Sequence, residues 1–145
     1  MTRILILICS LSFVLVASEA SARDTVKQWP VAAVLNNPEY AERLQGVSFF
    51  FGEQAHPAIV ESFGEYRTNK KTNGFNKTDE EACQWVMLSA LLTLHERARV
   101  LGANAVVNIR SNYKNNEVSS ETEYTCGSGA LMSGVALVGT FVTIG

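Results

Sequence analysis

Residues 96–110 read ERARVLGANAVVNIR. A helix ends here and a strand begins with almost nothing between them. Gly102 follows Leu101 and is free to take the left-handed conformation that closes a helix, while Arg97 and Arg99 put cations near its negative end. Upstream, Thr78 and Glu81 have the spacing of a capping box, and Asp79 and Glu80 suit the positive end of the dipole. Between these signals the apolar positions Cys83, Met87, Ala90, Leu91, Leu94, Ala98 and Leu101 recur at helical spacing. The sequence thus predicts one main helix over about 79–101. A second stripe, Trp85, Leu88 and Leu92, makes its first half apolar almost all round, whereas His95, Glu96, Arg97 and Arg99 make the second half polar. The first half is therefore expected to be covered on two sides, by a sheet and by either the N-terminal segment or a partner protein. On the second of these readings Trp85, Leu88 and Leu92 are the partner surface.

Downstream of Gly102, residues 104–113 alternate as a strand does. Ala105, Val107, Ile109 and Ser111 are expected on one face, with Val106, Asn108, Arg110 and Asn112 on the other. One buried and one wet face imply an antiparallel sheet covered by the helix. The junction itself holds no nucleophile, base or metal ligand, so its role is architectural.

The rest of the chain is less strongly marked. Val31–Leu35 reads as a helical turn. A helix starts at Pro38, with Glu39 early in it, and stops at Gly46. Val47–Phe51 and Phe63–Thr68 read as strands, with His56-Pro57 as a turn and 69–77, NKKTNGFNK, as a polar loop. Residues 114–120 form a hairpin-like loop and 121–126 a strand. The tail 127–145, GSGALMSGVALVGTFVTIG, carries no charge. Its glycines and β-branched residues favour a strand pair turning near Ser133-Gly134, with Val135, Leu137 and Phe141 meeting one layer and Val138, Val142 and Ile144 the other. A membrane-spanning helix and an exposed strand are the alternatives. The fold class read from the sequence is α+β: one main helix on a small antiparallel sheet.

The N-terminus has the form of an export signal over residues 1–22. Arg3 precedes an apolar run from Ile4 to Val16, and Ala20-Ser21-Ala22 gives the small-x-small pattern read by signal peptidase. Cleavage is expected before Arg23, leaving 23–145 as a single domain; an uncleaved anchor is the alternative. Cys9 lies within the apolar run after Ile8, which excludes lipidation there. The 145-residue chain has a formal charge of -2, and Arg3 and Glu19 leave together, so the composition is not that of a general nucleic-acid binder. Export places the domain in the periplasm or outside the cell, where cysteines oxidise. Once Cys9 is removed, Cys83 and Cys126 remain, and an even count favours one disulfide over two buried thiols.

The search for chemistry is negative. His56 precedes a proline in a turn, and His95 sits at the boundary of the helix's polar half. Neither has cysteine or carboxylate neighbours at zinc-ligand spacing. There is no G-x-S-x-G elbow and no P-loop, and GSGALMSG lacks the lysine and following helix of a phosphate loop. Arg67, Lys70, Lys71 and Lys77, flanked by Tyr66 and Phe75, form a small basic loop. Asn76-Lys77-Thr78 is a glycosylation sequon in a eukaryotic secretory pathway. No catalytic, cofactor-binding or metal-ligating residue is assigned, and none of this points to an enzyme.

The segment LGANAVVNIR, the polar hairpin after it and EYTCGSGALMSGVALVGTFV together resemble the YbjQ-like and RcsF-like superfamily. FGEQAHP, FGEYRTNKKTNGFNKTDEEACQW and NAVVNIRSNYKNNEVSS extend the likeness over nearly the whole mature chain, to small exported bacterial proteins often labelled excinuclease ATPase. The export signal, the missing P-loop and the short chain contradict that label. The resemblance implies an α+β fold with one main helix on an antiparallel sheet. Its RcsF-like branch implies partner contacts in the cell envelope and a bond between a cysteine at the helix start and one in a late strand, matching Cys83 and Cys126. The function expected is a non-enzymatic periplasmic domain that binds or senses an envelope protein partner, without cofactor, nucleic acid or stable membrane span. The alternative is a homo-oligomeric structural protein assembled through the apolar C-terminal strands.

Overall fold

A computed structural model describes residues 24–145. The export segment, with Ala20, Ala22 and the expected cleavage point, lies outside the described residues. The element order is β1 (Asp24–Pro30), α1 (Ala32–Leu35), α2 (Pro38–Arg43), β2 (Ser48–Phe51), β3 (Ile59–Asn73), α3 (Asp79–Leu101), β4 (Ala105–Tyr113), β5 (Asn116–Val118), β6 (Glu123–Gly129) and β7 (Met132–Ile144). The architecture is mixed α/β with seven strands and three helices. One main helix on a small antiparallel sheet is therefore too small a picture. The sheet is large, α1 and α2 join α3, and β2 pairs with β4 in parallel.

α3 follows its local signals. The Thr78 hydroxyl accepts from the Glu81 amide, the Glu81 carboxylate accepts from the Thr78 amide, and Gly102 ends the helix at φ 79°. Its buried residues run from Ala82 to Ala98 and pack against the sheet on one side. Val31, Val34 and Leu44 belong to the same core, so the N-terminal segment supplies the second cover.

β7 organises the sheet. Along one edge it pairs with β3 for its whole length. Its other edge forks, pairing with β4 from Leu137 to Val142 and with β6 at Ser133 and Gly134. β1 closes the β6 side. Val135, Leu137 and Phe141 face the helices, while Val142 and Ile144 pack on the far face with Ala105, Val107 and Phe50. The tail is thus a strand covered on both faces, not a membrane helix or an exposed strand. The turn falls at 130–131, before the expected Ser133-Gly134, because those two residues already pair with β6. Among the described residues no helix is long and apolar enough to cross a membrane.

β4 corrects the expected alternation. Asn108 has φ 50°, and the register with β7 shifts between Val107 and Arg110. This bulge reverses the phase, so Ile109 joins Val106 on the helix side instead of following Ala105 and Val107. Both side chains converge on Gly139, where a Cβ would lie 2.7 Å from Val106 Cγ1 and 3.2 Å from Ile109 Cγ1. β3 corrects a second reading: residues 69–73 continue the strand rather than forming a loop.

Candidate functional site

The two cysteines are joined, Cys83 in the first turns of α3 to Cys126 in β6, with Cα atoms 5.9 Å apart. Both are fully buried. Ser128 Oγ lies 3.3 Å from Cys83 Sγ and accepts from Ser133 Oγ at 3.1 Å. These side chains are buried, and the bond ties helix to sheet.

The expected partner surface does not hold together as a trio. Leu88 is 1% exposed and belongs to the core, whereas Trp85 is 45% exposed. Leu92 is half-buried and lies two turns farther along the helix, where it lines a different groove. The reason is the second cover: Leu88 shares its core with Val31, Val34 and Leu44 of the N-terminal segment.

Trp85 lines an open groove with Tyr40, Lys77, Glu81 and Gln84. Local caps set its walls. The Asn37 side chain accepts from the amides of Glu39 at 3.1 Å and Tyr40 at 3.4 Å, fixing the start of α2. Tyr40 then meets the Trp85 ring edge-on at 6.4 Å. On the opposite wall, Glu81 is held by the capping box, and the Lys77 ammonium donates to the Asn73 carbonyl at 3.2 Å. Tyr40 was absent from the sequence-derived surface. Its place beside Trp85 depends on how α2 folds back, which local pattern does not specify.

A second groove runs along the β3 side of α3, lined by Leu92, Thr93, Glu96, Arg97, Val100 and Leu101. Val100 is 78% exposed. The hydroxyls of Ser89 and Thr93 donate back to the carbonyls of Trp85 and Ser89, at 3.1 and 3.0 Å. Their hydrogen-bonding capacity is thus turned inward. Arg97 lies 4.5 Å over the Tyr66 ring, which itself meets Phe141 edge-on at 5.3 Å.

His95 is not a boundary residue. It is 8% exposed, and its Nε2–H donates to the Gln45 carbonyl at 2.7 Å, pinning the segment after α2. His56 donates through Nδ1 to the Pro57 carbonyl at 2.8 Å. Among the described residues no three His, Cys, Asp or Glu side chains converge as a metal site would require. The basic residues Arg67, Lys70 and Lys71 lie on β3, with Lys77 in the following turn.

On the far face of the sheet Arg110 donates to both Glu65 and Glu117. Burial works against its charge, but the hydrogen bonds to the two carboxylates outweigh it and raise its pKa above the usual value. In β6, the buried Tyr124 hydroxyl has no partner among the described residues. Burial, then the nearby Glu80 and Tyr40, push its pKa up. Comparison with protein-family models, curated proteins and solved structures gives no match for this chain.

Proposed function

We propose that the protein is a non-enzymatic exported domain, periplasmic or secreted, that binds an envelope protein partner through the Trp85 groove. The observation that carries this reading is a half-exposed indole, braced by Tyr40 and rimmed by Lys77, Glu81 and Gln84. An aromatic anchor inside a polar, mixed-charge rim is the arrangement that concentrates binding energy at protein interfaces. The disulfide is compatible with an oxidising compartment. The proposal includes kinship with the YbjQ-like and RcsF-like superfamily, and export with cleavage after Ala22. Intact mass of the exported protein is then expected to begin at Arg23, and a mass retaining Met1 would count against processing. The alternative of assembly through the C-terminal strands has less behind it. Val135 to Val142 are covered, leaving only Leu131 and Met132 prominent outside.

A photoreactive residue at Gln84 in cells tests the site. The expected result is a discrete adduct that is lost on Trp85→Ala and absent when the photoreactive residue replaces Lys27. Truncating a central anchor of this kind costs about 2 kcal/mol or more of binding energy. Equal labelling from both positions, or an adduct indifferent to Trp85→Ala, would remove the groove from consideration.

A further inference from the structure

We infer that two copies of this chain associate through the open edge of β3, with their α3 helices side by side across the two-fold axis. Three observations converge on that arrangement.

The first is the edge. Among the described residues β3 pairs with β7 alone, leaving one side of a 15-residue strand without a ladder partner. Its irregularities are confined to Ile59/Glu61 and Ser62/Gly64, and from Glu65 to Asn73 the register with β7 is unbroken. A regular open edge is a template for another strand.

The second is charge. An antiparallel pairing of β3 with its own copy, centred on Thr68, puts Glu65 opposite the partner's Lys71, and the pair occurs twice by symmetry. Both side chains belong to the face that carries Arg110, since their β7 partners Thr140 and Gly134 share one parity. Within one copy Glu65 and Glu117 share a single guanidinium, leaving an excess carboxylate charge. Lys71 makes no ion pair among the described residues. The second copy brings a further cation to the excess anion, on the face that also carries Arg67 of the same copy. The same register sets Tyr66 beside the partner's Lys70.

The third is the helix. α3 packs on β3 as well as on β7, so it lies beside the proposed two-fold. The two-fold then brings the two α3 helices to the same side of the joined sheet, where neighbouring helices can pack. The facing flank carries Ser89 and Thr93, small and with hydroxyls already bonded to their own helix, and the exposed Val100. One operation thus covers both the strand edge and the second groove, and it leaves the Trp85 groove, on the α2 side, open.

Sedimentation velocity of the processed protein, expressed as the full chain, tests this over a range of concentrations. The expected result is a monomer–dimer equilibrium. Lys71→Glu places like charges opposite one another twice and is expected to weaken the dimer roughly tenfold or more. Reversing both charges, Glu65→Lys with Lys71→Glu, restores the pairing and is expected to recover most of the loss. In the double variant Arg67→Cys/Asn69→Cys, residues 67 and 69 of the two copies face each other, and a disulfide-linked dimer is expected on a non-reducing gel. Both sites are exposed, so the monomer fold tolerates these changes. A wild type that is monomeric at every concentration overturns the inference. So does an odd-numbered oligomer, or a dimer indifferent to Lys71→Glu and not linked by the cysteine pair.

Discussion

β3 and β7 run side by side for thirteen register pairs, yet their compositions have almost nothing in common. β7 reads MSGVALVGTFVTI and holds no charge, while β3 reads IVESFGEYRTNKKTN and holds five charged side chains. The difference lies in what surrounds them. β7 is paired on both edges and covered on both faces, whereas β3 is paired on one edge and wet along much of its length. Strand composition here reports the number of covered sides, not whether the backbone is extended.

That contrast is tested hardest by Leu137→Asp, which buries an unpaired carboxylate at the centre of β7. The expected cost is several kcal/mol, enough to unfold the domain, as read by circular dichroism. A folded variant would show that β7 is not the covered strand described above. Next comes the Cys83–Cys126 bond, which fastens the helix to β6. Closing a loop of 43 residues is worth about 4 kcal/mol in the chain-entropy model. Reduction is therefore expected to lower the melting temperature substantially. Two thiols titrating in the native, non-reduced protein would contradict the bond. Gly139→Ala is a smaller intrusion. Its methyl group would meet Val106 Cγ1 at 2.7 Å, and overpacking of this kind costs about 1–3 kcal/mol in denaturant unfolding. Smallest of all is Glu61→Ala on the exposed start of β3, expected within about 0.5 kcal/mol of wild type. A loss as large as that at Gly139 would erase the distinction between the strands.

What the sequence made legible follows the same division. α3 was readable because its information is local: Thr78 and Glu81 sit one turn apart, and Gly102 needs only its own backbone freedom. The two-faced burial of the tail was readable because every residue from 127 to 145 is uncharged. The length of β3 was not. Asn69 to Asn73 have loop composition, and only pairing with Ala136 to Met132 makes them a strand. The phase of β4 was hidden for a different reason. Asn108 looks like any outward polar residue, and its positive φ appears only once the bulge against β7 exists. β1 had no alternation to read, being half of a ladder whose other half lies about a hundred residues away. For the candidate site, Trp85 was visible as an odd apolar position on a helix. Its companion Tyr40 was not, and the choice for Leu88 between the N-terminal cover and a partner stayed open, because both depend on where residues 31–44 settle.

The forked pairing of β7 also bears on the order of assembly. β3, β4 and β6 each find a neighbour in this strand, which is the last of those described. β1, the first, waits for β6. A chain emerging with its N-terminus foremost has α3 and the β4–β5 hairpin available early, because their contacts are local. Its longest strands stay unmatched until residues 132–144 have arrived. Pairing of β3 thus waits for the synthesis of residues 132–144, and until then its edges are open to other chains.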